Sequence, residues 1–132
     1  MESLTTGALA KAAGLGIETV RYYERRGLLP APARKPSGYR AYPEAAVRRL
    51  RFIKRSQELG FTLSEVKELL ALWENPETDR AKVRAKALAK VSDIESRIND
   101  LTKVRAQLLE LSANCKGKGT TKECPIMLAL SE

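Results

Sequence analysis

From Thr78 to Ser112 the chain contains no glycine or proline. Within that stretch Ala87, Val91, Ile94, Ile98 and Leu101 alternate steps of four and three, and after a small shift of phase the pattern continues through Val104, Leu108 and Leu111. This is a coiled-coil seam of roughly three to four heptads on a helix about 50 Å long. A single helix carrying one apolar seam leaves that seam wet. Burial at about 25 cal/mol per Å² favours a partner helix, most simply a second copy of the chain. The competing solution is that the helix folds back on residues 1–75.

The chain before this helix is punctuated very differently. Thr5 to Ala13 places Ala8, Leu9, Ala12 and Ala13 at helical spacing, with Thr5 or Thr6 available as N-cap and Gly14 as the stop. Gly14-Leu15-Gly16 reads as a tight turn, and Ile17 to Arg26 as a second helix ended by Gly27. Two short helices joined by a glycine-containing turn match the helix-turn-helix pattern, in which the second helix enters the major groove. Arg21 and Tyr22 would then face DNA.

Residues 28–42 contain three prolines and a Ser37-Gly38 turn signal, which excludes a continuous helix and suggests a small β-ribbon or wing. Arg34, Lys35, Arg40, Tyr39 and Tyr42 lie where such a ribbon could grip a phosphate backbone; an ordinary proline-rich loop is the alternative. Pro43 suits the first position of a third helix running to about Leu59, with Val47, Leu50, Ile53 and Gln57 on one face. Thr62-Leu63-Ser64-Glu65 forms a capping box for a fourth helix, whose inward stripe is Leu63, Val66, Leu69, Leu70 and Trp73. Asn75-Pro76 closes this head.

Charge separates the chain along the same line. Residues 1–57 hold 12 Lys or Arg against 4 Asp or Glu, whereas residues 58–132 hold 12 of each, so the net charge of +8 resides in the first part. All four tyrosines, Tyr22, Tyr23, Tyr39 and Tyr42, lie there too. Basic residues release counterions from nucleic acid, and tyrosine hydroxyls hydrogen-bond phosphate oxygens. A solvated cationic face is the plainer alternative. Histidine is absent, which removes the commonest general base near neutral pH and the commonest nitrogen ligand for metals, and the expectation is a protein without catalytic activity. No stretch approaches the roughly 18 apolar residues of a membrane span. The start, Met1-Glu2-Ser3, lacks the features of a secretory signal, so a cytoplasmic location without membrane association is expected.

Cys115 and Cys124, separated by eight residues, are too few to staple a secreted fold and are expected as thiols. Pro125 opens a short apolar helix that would put Cys124 at its N-cap, where exposed N–H groups stabilise a thiolate. Two thiolates with no imidazole suit ions that accept linear coordination, Cu(I), Ag(I), Au(I) or Hg(II), better than zinc, which needs four ligands. Two small buried side chains are the structural alternative.

Taken together these segments resemble the MerR family of metal-responsive transcription regulators across nearly the whole chain. The first helix is similar over Leu4 to Gly14, the recognition segment over Glu18 to Leu28, the wing over Gly38-Tyr39-Arg40-Ala41-Tyr42, and the second helix pair over Ile53 to Leu63. The resemblance implies a mainly α fold in three parts: a winged helix-turn-helix head at 1–75, a dimerisation helix at 76–113 that pairs antiparallel, and a metal loop with a short helix at 114–132. It implies DNA contacts from Thr19, Arg21, Tyr22, Tyr23, Lys35, Gly38, Tyr39, Arg40 and Tyr42, and metal ligation by Cys115 and Cys124.

The segment from Asn75-Pro76 through Ala113-Asn114-Cys115 to Cys124-Pro125-Ile126 looks most like the copper-efflux branch, which implies Cu(I), or Ag(I) or Au(I), as the ion. Two departures stand out. Where the monovalent-ion sensors carry Ser and the divalent-ion sensors Cys, this chain has Arg80, a neighbour of the site by the family pattern. The loop of eight residues has the length of the mercury sensors, which keeps Hg(II) open. The implied partners are promoter DNA, a second copy of the chain and, by functional coupling, RNA polymerase. A redox or electrophile sensor on the same head is a rival reading, and a metallochaperone is another.

Overall fold

The computed structural model describes every residue except Met1, Glu2, Lys35, Ser37 and Tyr39. The expectations for Lys35 and Tyr39, and for the side chain of Arg34, therefore fall outside the described residues. The order of elements is α1 (Thr6–Ala13), α2 (Ile17–Arg25), β1 (Ala33–Arg34), β2 (Arg40–Ala41), α3 (Ala45–Glu58), α4 (Leu63–Glu74), α5 (Arg80–Ala113) and α6 (Pro125–Leu130). The chain divides into two compact units, Met1–Val83 and Arg84–Glu132.

In the first unit, local sequence signals set the helix ends. The Thr5 hydroxyl accepts from the Ala8 N–H at 3.1 Å and caps α1. Gly14, at φ +70°, adopts the left-handed conformation that terminates it. The Thr62–Glu65 capping box is formed in both directions: the Glu65 N–H donates to the Thr62 hydroxyl at 3.2 Å, and the Thr62 N–H donates to the Glu65 carboxylate at 2.9 Å. Pro43 does not begin α3 as its sequence position suggests. The N–H groups of Ala46 and Val47 donate to the carbonyls of Pro43 and Glu44, a tight first turn with three-residue spacing, and the regular helix starts at Ala45.

The core of this unit lies where α1, α2, α3 and α4 converge, on Leu9, Val20, Leu28, Leu50, Ile53 and Val66, all fully buried. The buried face of α3 is Ala46, Leu50, Ile53 and Ser56. Gln57, expected on that face, is exposed and accepts a hydrogen bond from the Tyr23 hydroxyl. Trp73 is only partly covered: it stacks on Phe52 with ring centroids 4.7 Å apart, while the Arg48 guanidinium lies 5.1 Å from its ring. Strands β1 and β2 pair antiparallel with Ala33 opposite Ala41 and Arg34 opposite Arg40. An additional bridge joins Leu4 to Tyr42, with N–H to O distances of 2.7 and 2.8 Å, so the segment before α1 extends the ribbon.

Helix α5 is uninterrupted for 34 residues. Asp79 caps its start by accepting from the Ala81 N–H at 3.0 Å. The seam read from the sequence is open along the single chain, with Ile98 59%, Leu101 66% and Leu108 52% exposed. In the second unit the chain leaves α5, forms a loop and returns as α6. The loop relies on backbone in the left-handed region at Gly117 (φ +71°), Gly119 (φ +96°) and Glu123 (φ +60°). No helix among the described residues is long and apolar enough to cross a membrane.

Candidate functional site

Two sets of chemistry-bearing residues emerge, one in each unit. In the head, α2 is amphipathic: Val20 and Tyr23 are buried, and Glu18, Arg21, Tyr22 and Arg25 project outward. Arg21 lies 3.4 Å from Glu18 one turn earlier, with half of its side chain open to solvent. Such exposed pairs are weak and readily exchanged for another anion. Tyr22 is 41% exposed, and Thr19 is half-buried beside it on the helix. These residues have the reach and the chemistry to meet base edges and phosphates.

Two tyrosines expected at the DNA surface are buried in the head. Tyr23 is 6% exposed and donates to the Gln57 side chain, which ties α2 to α3. Burial first, and then the neighbouring Tyr22, raises the Tyr23 phenol above its ordinary value, so the hydroxyl stays a donor. Tyr42 is 1% exposed and donates to the Glu24 carboxylate at 2.5 Å. Its phenol is also held high, by burial and then by the Glu24 carboxylate, against smaller opposing effects of Thr6 and Arg40. Both rings carry large apolar area that the core needs, and their hydroxyls already have partners. Arg40 remains half-buried with its guanidinium 3.4 Å from Glu24. Gly38 sits at the ribbon turn with φ +86° and open space around it, a conformation that favours glycine.

Glu24, one helical turn after Arg21, accepts from both Arg40 and Tyr42. The signal that could have found it is a carboxylate in a strongly basic segment. Three further cations act as struts. Arg51 donates to the Ala12 carbonyl at 3.0 Å and Lys54 to the Gly14 carbonyl at 3.2 Å, satisfying the end of α1. Arg49 donates to the Leu28 carbonyl at 2.6 Å and pairs with Glu74.

In the second unit, Cys115 follows the last turn of α5 and Cys124 occupies the N-cap position of α6. Both are free thiols and partly buried. The two thiols flank one eight-residue loop, Cys115 just beyond α5 and Cys124 at the start of α6. Cys124 makes no full capping hydrogen bond, but the backbone N–H groups of Met127 and Ile126, with help from Cys115, hold its thiol below the ordinary range despite partial desolvation. Among the described residues no cluster of three or more His, Cys, Asp or Glu could hold an ion, so one chain does not supply a four-ligand zinc shell. Arg80 is the first residue of α5 and is exposed.

Comparison with known proteins shows the family of the chain. A model of the MerR helix-turn-helix family of regulatory proteins matches residues 4–73, and a model of MerR DNA binding matches residues 47–111. A mercuric resistance operon regulatory protein of Bacillus cereus is 42% identical over 124 residues, covering 94% of each chain. The transcriptional regulator CueR of Yersinia pestis is 40% identical over 123 residues, covering 93% of this chain and 88% of that one. Among solved structures, the transcription regulator PbrR691 of Ralstonia metallidurans CH34, in complex with lead(II), superposes with a TM-score of 0.85 at 35% identity over 96% of this chain and 98% of that one. Its relatives are regulators of transcription and not enzymes, and the chain belongs to the MerR family of metal-responsive transcriptional regulators.

Proposed function

We propose that the chain acts in the cytoplasm as a homodimer on promoter DNA and converts the binding of a soft, thiophilic ion at Cys115 and Cys124 into a change of DNA shape that RNA polymerase can use. The single observation that carries this reading is a loop flanked by two free, partly buried thiols, with Cys124 at the N-cap of α6 where backbone N–H groups favour its anionic form. A thiolate pair binds d¹⁰ ions strongly; the chain has no histidine, and no cluster of three or more carboxylates or cysteines lies among the described residues to favour harder ones. The open seam of α5 supports pairing with a second copy.

Cu(I) is the preferred ion. Two thiolates around a monovalent ion leave one negative charge, which an arginine can neutralise, whereas two thiolates around a divalent ion are already neutral. Antiparallel pairing of α5 brings the start of that helix in a second copy, and with it Arg80, toward the thiol loop. Hg(II) is the second reading, supported by the mercuric resistance regulators among the relatives and by the eight-residue loop. In either case the ion acts by binding one of two dimer conformations more tightly; about 1.4 kcal/mol of difference shifts their ratio tenfold.

On the DNA side, Arg21, Tyr22 and Thr19 act from α2, while Arg40, Gly38 and the ribbon residues Lys35 and Tyr39 act from the wing. Replacing Arg21 with alanine is expected to lower affinity for a duplex selected by the wild-type chain by about tenfold or more, because one arginine contact to a base pair is worth about 1–3 kcal/mol. Fluorescence anisotropy at matched salt measures this directly. Unchanged affinity would remove α2 as the reading helix.

A further inference from the structure

Region 1–57 carries only four carboxylates among its many cations, and one of them is nearly enclosed: the Glu24 side chain is 15% exposed. A single oxygen of that carboxylate, Oε2, receives both the Tyr42 hydroxyl at 2.5 Å and the Arg40 guanidinium at 3.4 Å. Arg40 and Tyr42 are two residues apart, and the period of an extended strand puts both on one face. Glu24 is three residues after Arg21, so the contact lies one helical turn from the side chain expected to read the groove.

On its other side α2 is tied to α3 by the Tyr23–Gln57 hydrogen bond. Tyr42 is further fixed by its backbone bridge to Leu4. Side-chain hydrogen bonds therefore attach the recognition helix to α3 through Tyr23 and to the ribbon through Glu24. A carboxylate placed there costs net attraction to DNA, since it offsets one cation of the wing. That cost makes sense where the carboxylate sets geometry.

We propose that Glu24 is a positioning residue for DNA recognition, joining the second strand of the ribbon to the recognition helix so that the two meet the duplex in one fixed relation. The proposal rests on the DNA-binding reading above. Helix and ribbon then act as a unit, and the free-energy cost of aligning them is met before DNA arrives. In this role Glu24 touches no base or phosphate itself; it acts through Arg40 and Tyr42.

The test uses the full chain and a duplex selected by the wild-type protein from random sequence. Salt-dependent binding by the wild type is measured first; its absence refutes the DNA-binding reading and this proposal with it. Given binding, Glu24→Ala is expected to lose about tenfold or more in affinity for the selected duplex, with a smaller loss on random duplex. Hydroxyl-radical footprinting is expected to show weakened protection at the flanking phosphates reached by the ribbon, with the groove face under α2 still protected. Glu24→Gln keeps an acceptor for Tyr42 and is expected to restore most of the preference. Tyr42→Phe, which preserves the ring in the core, covers the case in which Glu24→Ala does not fold, and is expected to reproduce the loss of flanking protection. Each variant is assayed where circular dichroism shows it folded. Wild-type affinity and footprint in folded Glu24→Ala or Tyr42→Phe, or an equal loss of protection across the whole site, would overturn the positioning role.

Discussion

Replacing either cysteine with serine is expected to abolish metal-induced transcription and to leave DNA binding close to wild type. The serine hydroxyl is nearly the same size as the thiol, so the α5–α6 turn should persist, but it is a hard and rarely ionised ligand. Affinity for a soft ion falls by roughly a hundredfold or more when one of two thiolates is lost, because the one remaining thiolate cannot complete two-coordinate binding and a serine hydroxyl is a poor donor to a d¹⁰ cation. The head lies in the other compact unit, with its own core on Leu9, Leu50, Ile53 and Val66, and does not depend on the thiols for folding. Reporter transcription with and without added Cu(I) or Hg(II), alongside anisotropy on the same duplex, separates the two effects. Normal induction in Cys115→Ser or Cys124→Ser would remove those residues as ligands. Loss of DNA binding with ion absent would mean that the thiols serve the fold.

Ile98→Asp is expected to split the dimer. Ile98 is 59% exposed in the single chain and sits mid-seam between Ile94 and Leu101. A buried isoleucine side chain contributes about 1.5–3 kcal/mol, and a symmetric dimer buries two. Removing both and placing carboxylates in the seam weakens association by about a thousandfold or more. Helix α5 itself should survive, since Ile98 is largely open to solvent in the single chain and aspartate in an exposed helix costs about 1 kcal/mol or less. Sedimentation at micromolar concentration is expected to find monomers of full helicity, with DNA affinity reduced because the two heads no longer act together on one duplex. A variant that remains dimeric would place the interface elsewhere.

The sequence made the skeleton legible because its punctuation is local. Gly14, the Thr62–Glu65 box and the glycine-free run after Asp79 each act within one helical turn, and their partners lie three or four residues away. Pro43 shows the limit of such reading: a proline compatible with a first helical turn was accommodated in a tighter turn just before it. The tyrosines show a different limit. A hydroxyl-bearing ring serves a core or a DNA surface equally well, and which one it serves depends on distant partners. Tyr23 meets Gln57 from 34 positions away, and Tyr42 meets Glu24 from 18. Neither pairing leaves a periodic trace. Likewise the path of the loop between Cys115 and Cys124 uses left-handed residues, of which Glu123 carries no glycine signature. The choice of ion is a finer matter still, since one thiolate pair serves Cu(I) and Hg(II) alike.

The central claim is that this thiolate pair takes a soft ion in preference to a hard one. A titration of the reduced dimer against a competing small-molecule thiol, run separately with Cu(I), Ag(I), Hg(II) and Zn(II), tests it most directly. The account predicts retention of one soft ion per chain, with Cu(I) or Ag(I) held under competition that strips Zn(II) completely. Retention of Zn(II) over all three soft ions, or of no ion at all, would contradict it.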